Sequence, residues 1–164
     1  MSKIMAWSKC TIECATSTGA MASSLTSIGT VKDRSAVLES EDGDELRAVA
    51  TGGELVAYER LEGAFTLTCR VIEPETTFYS TLFGLGTVSS DDVSVTTHVP
   101  TAYYSVKVTP KNIGAYGIEA PYTNVSIKPG WSEEEGNYVD VTFAILHGSA
   151  NYWYKRFKVP TPTP

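Results

Sequence analysis

Along residues 64–71 the side chains alternate without a break: Phe65, Leu67, Cys69 and Val71 fall on one face, Thr66, Thr68 and Arg70 on the other. A period of two marks a half-buried strand. Residues 138–146 repeat it, with Val139, Val141, Phe143 and Ile145 set against Tyr138, Asp140, Thr142 and Ala144. Weaker alternations predict strands over 8–15, 28–31, 36–40, 45–50, 54–62, 87–99, 103–109 and 152–159. Between them Asp42-Gly43 is a strong hairpin signal, because both residue types tolerate positive φ. Gly52-Gly53 and Gly63 mark two more turns, so residues 36–73 read as an antiparallel meander. The period changes once. Glu73-Pro74-Glu75 suits a helix start, since proline fits the first helical position and carboxylates favour the positive end of the macrodipole. Phe78 and Leu82, like Tyr79 and Phe83, then lie four apart, and Gly84 is a left-handed stop. The predicted fold is all-β, mainly an antiparallel β-sandwich or barrel, with one short flanking α-helix near residues 74–84.

Two stretches resist this reading. Residues 16–27 are small and polar apart from Met21 and Leu25, which predicts a loop that is mobile or ordered by a partner. Residues 114–131 are rich in Gly, Pro and Tyr, which predicts short strands with bends. The chain has 164 residues, enough for one domain with a real core, assigned to residues 1–159. The Pro-Thr tail at 160–164 cannot pair as a central strand.

Hydrophobic residues make up 42% of the chain and charged residues 20%, values that exclude wholesale disorder. A net charge of -6 argues against a surface built to grip phosphate backbones. The acids are not spread evenly. Glu39, Glu41, Asp42, Asp44, Glu45, Glu54, Glu59 and Glu62 crowd residues 39–62, opposed there only by Arg47 and Arg60. They read either as a solvated sheet face or as a surface that repels polyanions. The first residues lack the apolar run of a signal peptide, and no stretch approaches a membrane span, so the chain reads as made in the cytoplasm with no membrane partner.

Candidate chemistry is sparse. No nucleophile elbow, phosphate-binding loop, dinucleotide fingerprint or zinc-protease motif occurs. Cys10, Cys14 and Cys69 read as small buried hydrophobes, since a zinc site would need a distant fourth ligand such as His98 or His147. Glu73 and Glu75 are explained by the helix start. No catalytic residue, metal or cofactor is assigned, and the chain reads as no enzyme. Tyr152-Trp153-Tyr154-Lys155-Arg156 fits either a strand with packed aromatics or a stacking platform.

The layout VLESEDGDELRAVATGGELVAYERLEGAFTLTCRVIEP, strand, acidic turn, strand, Gly-rich turn, then a long strand into a helix, resembles the major tail tube proteins of long-tailed bacteriophages and, more remotely, type VI secretion tube proteins. That resemblance implies a structural virion protein of a phage or prophage tail. Its subunits form rings, six to a ring, that stack into a conduit through which DNA passes without specific binding. The implied partners are further copies of the chain and other tail proteins, and the implied location is the virion tail. On this reading Glu45, Arg47, Glu54, Tyr58 and Arg60 face the lumen, and Met21, Leu25, Glu41, Asp42 and Asp44 contact neighbouring subunits. The aromatic C-terminal strand and the Pro-Thr tail depart from the family's pattern. A monomeric immunoglobulin-like or carbohydrate-binding sandwich, using the C-terminal aromatics as its platform, is the alternative.

Overall fold

A computed structural model describes residues 9–162. Thirteen strands occur in chain order: β1 (Cys10–Thr16), β2 (Thr26–Ser27), β3 (Thr30–Val31), β4 (Val37–Ser40), β5 (Glu45–Val49), β6 (Leu55–Arg60), β7 (Phe65–Ile72), β8 (Gly86–Ser89), β9 (Asp92–Val95), β10 (Tyr103–Pro110), β11 (Tyr116–Ser132), β12 (Gly136–Ile145) and β13 (Lys155–Lys158). Nine of them form one curled antiparallel sheet with the path β2-β1-β10-β11-β12-β7-β3, while β13 pairs with β11 and β4 with β7. The all-β expectation holds.

The curl comes from one short segment. β2 pairs with β1, and β3, only two residues further on, pairs with β7 at the opposite end of the path. Between them the Ile28 amide donates to the Ile12 carbonyl at 3.0 Å, and beyond β3 the Lys32 amide donates to Arg70 at 2.8 Å. Residues 26–32 therefore bridge the two edges and remove two open ladders that would otherwise template aggregation.

The enclosed face is built from cross-strand pairs. Val139, Val141 and Phe143 stand opposite Val71, Cys69 and Leu67 on one side, and Val141 and Phe143 stand opposite Ile127 and Val125 on the other. All eight are buried, and Ile12, Cys14 and Val106 continue the layer on β1 and β10. The alternation read in 64–71 and 138–146 is thus the core face itself. Cys14 and Cys69 lie within it, and burial pushes both thiols up to about 12, with Cys69 adding to the rise at Cys14, and Cys10 and Asp140 adding to that at Cys69.

Four expectations need correction. The helix is a π-helical turn, Phe78–Leu82, not an α-helix over 74–84, and Glu73-Pro74-Glu75 precedes it as a bend with Glu73 at φ 43°. The wide turn suits the aromatics: Phe83 donates its amide to Phe78 five residues back at 3.3 Å. It is therefore Phe78 and Phe83 that share the buried side, ring centroids 4.9 Å apart, while Leu82 is half-buried. Gly84, at φ 62°, ends the turn as expected. Residues 87–99 hold a hairpin, not one strand, because the polar run Ser89-Ser90-Asp91-Asp92 supplies a turn with Ser90 at φ 57°. Residues 114–131 fall almost wholly within one 17-residue strand, Tyr116–Ser132, in place of several short ones. Pro121 sits where the β10–β11 register slips, and Pro129 lies beyond Asn124, where β10 has stopped; bulges and unpaired edges are where a strand accommodates proline. The tyrosine ring of Tyr138 covers Gly130 and carries the Arg70 guanidinium 4.2 Å from its centroid.

The fourth correction concerns the meander. β4 does not pair with β5; it pairs with β7, Ser40 opposite Phe65, and the intervening residues leave the sheet altogether.

Candidate functional site: a projecting hairpin arm

β5 and β6 form a separate two-stranded sheet, Glu45 opposite Arg60 and Arg47 opposite Tyr58. The ribbon that begins as β4 and β7 continues into it through paired connections: the Glu41 amide donates to Ala64 at 2.8 Å and the Leu61 amide to Asp44 at 2.9 Å. Asp42-Gly43 is therefore no turn. It is the joint between stem and arm, and Gly43 and Gly63 are required there because a methyl group on either would overlap the carbonyl of Leu61 or of Glu41. The turn itself is at Gly52-Gly53, with φ of 100° and 87° and a 3.0 Å bond from the Gly53 amide to Ala50. Every residue from 44 to 62 is exposed.

The arm has two unlike faces. On one, Glu45 accepts hydrogen bonds from Arg60 at 2.6 Å, Tyr58 at 2.9 Å and Arg47 at 3.1 Å, with the Arg47 guanidinium 5.6 Å from the Tyr58 ring centroid. These bonds, that of Arg60 foremost, hold the Glu45 carboxyl below its ordinary value, and Glu45 in turn raises Arg60. Strand alternation places Leu46 and Ala48, with their partners Glu59 and Ala57, on the opposite face. Leu46 is 52% exposed and Leu61 43%. At the tip Val49, Leu55 and Val56 are also open to solvent.

Of the residues expected to face a lumen, the structure brings Glu45, Arg47, Tyr58 and Arg60 into one hydrogen-bonded set. Glu54 stands apart at the tip, its carbonyl accepting the Ala50 amide at 2.8 Å. Of the residues expected at subunit contacts, Glu41, Asp42 and Asp44 surround the joint and are exposed. Met21 and Leu25 are half-buried in a loop that the chain itself fixes: Ser17 Oγ donates to Pro121 at 2.6 Å, and the Ala22 amide donates to Ser105 Oγ at 3.0 Å. Leu46, Leu55, Val56 and Leu61 escaped the sequence reading. Their signal is a run in which neither alternating set is wholly polar, as a strand with one solvated face would be.

With known families and curated proteins the chain shares no match: no family model matches it, and no curated protein does.

Elsewhere the side-chain clusters are structural. Arg70 grips Asp140 with both Nε (2.7 Å) and Nη2 (3.1 Å) and reaches Glu135 at 2.8 Å, while Lys32 pairs with the same Glu135. This clamp ties the β3–β4 loop to the β11–β12 turn. Lys32, then Arg70, holds the Glu135 carboxyl below its ordinary value. Trp153 and Tyr154 pack on Phe65, ring centroids 5.8 and 5.3 Å away, so these two C-terminal aromatics are packing residues. Among the described residues no helix is long and apolar enough to cross a membrane.

Proposed function

We propose that the chain is a structural virion protein, a subunit of a phage or prophage tail tube whose rings, six subunits each, stack into a conduit for DNA. The observation that carries this reading is the arm: a ribbon with no body beneath either face and an apolar side open to water. A lone two-stranded hairpin is marginally stable in water, and exposed apolar surface marks an interaction site. A second copy covers the apolar face, and repetition around a ring covers every arm. The other face suits a lumen wall. Arg47 and Arg60 are already held by Glu45, and the surplus carboxylates of residues 39–62 repel phosphate, so passing DNA gains little from counterion release. In this reading the chain is made in the host cytoplasm, ends in the virion tail and meets other tail proteins there.

The experiment is a concentration series of purified protein by sedimentation velocity and electron microscopy. Rings or tubes are expected, and a variant with residues 44–62 replaced by a short Gly-Ser turn should stay folded and monomeric. Native protein that remains monomeric at every concentration and binds a glycan array would overturn the proposal in favour of a carbohydrate-binding module.

A further inference from the structure

The assembly reading leaves open where the arm lands, and the body offers a surface that fits it. Where residues 26–31 stop bridging the sheet edges, β1, β10 and the start of β11 part from the β3–β4 loop and leave a groove of about 930 Å³. Its floor is apolar, formed by Val31, Ala36, Val108 and Ile118, and among the described residues its rim carries Lys9, Lys32 and Arg34 against the carboxylate of Asp33. Lys32 is engaged by Glu135, and Arg34 pairs with its neighbour Asp33 at 3.7 Å while its side chain stays 93% exposed. Just beyond, Arg156 stacks 4.1 Å from the centroid of Tyr116, which lines the groove, and Lys158 pairs opposite that tyrosine.

The arm is the complement of this surface in both polarity and charge. Its apolar face, Leu46, Ala48 and Ala57, is flanked by Glu59 and Asp44. Residues 39–62 carry eight carboxylates and two guanidiniums, which accounts for the whole net charge of -6; the rest of the chain holds eleven of each sign. Resting on the assembly reading above, we infer that the groove of one copy receives the arm of another, its apolar face on the groove floor and Glu59 and Asp44 against Arg34 and Lys9. Donor and acceptor are different surfaces of the same chain. The contact is therefore head-to-tail, the kind that generates a ring when its rotation closes and a filament when it does not. Like charges repel any arm-to-arm pairing, which favours the groove as the arm's destination.

Mixed copies test the contact. Protein carrying Glu59→Cys is combined with isotope-labelled protein carrying Arg34→Cys, joined with a short bismaleimide, and the linked peptides are identified by mass spectrometry. A labelled-to-unlabelled link between positions 59 and 34 is expected. Glu59→Lys and Arg34→Glu should each weaken association by about tenfold, because reversal exchanges an attraction for a repulsion. The two together in one chain should restore it to within about threefold, as an exchanged ion pair does. Native assembly with no such link and no effect of Arg34→Glu refutes the groove as acceptor and leaves the arm reading standing. Native protein that never assembles removes both.

Discussion

Replacing Leu46 and Leu61 together by serine isolates the arm's apolar face from everything else in the chain. Both side chains are about half covered within the subunit, at 52% and 43% exposure. Full burial of a leucine contributes about 1.5–3 kcal/mol, so covering the open half of each adds about 1 kcal/mol on assembly. Loss of both is then about 2 kcal/mol, or roughly 30-fold in the association constant. The monomer should barely notice, because exposed positions away from special features change stability by only about 0.5 kcal/mol. Sedimentation velocity over a concentration series gives the first quantity and thermal unfolding of dilute protein the second. A half-assembly concentration unmoved by the double substitution would refute the argument. So would a fall of many degrees in dilute protein, which would mean that the face is packed within its own chain.

Three further outcomes follow from the geometry. The folded carboxyls of Glu45 and Glu135 sit below their ordinary value of 4.5, so the stability they contribute is present above that pH and is lost as pH falls through the lowered values; amide protection, taken relative to the intrinsic exchange rate at each pH, should fall in the arm and in the β11–β12 turn below about pH 4.5, and Glu45→Gln should remove the dependence in the arm alone. Gly63→Ala forces a methyl against the Glu41 carbonyl and should disrupt the arm at a cost of about 1–3 kcal/mol, measurable by denaturant unfolding, whereas Gly52→Ala, with open space around it, should cost about 1–2 kcal/mol from its φ alone. Cys14 and Cys69, buried and protonated at neutral pH, should resist a thiol reagent that labels all three cysteines at once in denaturant, with half-buried Cys10 reacting first in the native protein.

The core was legible because its strands obey a single rule. In residues 64–71 and 138–146 one face is buried and the other is not, so the alternation of side chains and the geometry of the sheet are the same fact. β11 was illegible for the opposite reason: Gly117, Pro121, Pro129 and Gly130 are strand breakers by composition. They are accommodated only because the neighbouring strands change along its length, β13 at one end and β12 at the other, with a bulge between. The arm lies between these cases. Of the set Glu45, Arg47, Glu54, Tyr58 and Arg60, all but Glu54 come together in one hydrogen-bonded group, yet nothing local distinguishes a strand inside a meander from a strand in a free ribbon. That distinction is a long-range pairing, Ser40 with Phe65, which bypasses everything between them. The glycines at 43 and 63 carried the clue. A turn needs positive φ, but these two have none and are required by close approach instead, which only the crossing of two backbones explains.

The location of the free strand edges fits the proposal that the arm meets a partner. The main sheet has closed its own path with residues 26–31, so its ends offer little ladder to a neighbour. The outer edges of β5 and β6 are open, as are those of the small β8–β9 hairpin. Open edges invite indiscriminate pairing unless charge discourages it. On the arm, carboxylates stand at the joint, along β6 and at the tip, so two arms approaching edge to edge meet with the same sign. A surface that repels its own copy while leaving an apolar face uncovered is suited to a contact with a different surface. Selectivity of that kind would turn an exposed hairpin from an aggregation hazard into a directed joint, and it calls for an excess of acids on the arm, which the eight carboxylates and two guanidiniums of residues 39–62 supply beside an otherwise balanced chain.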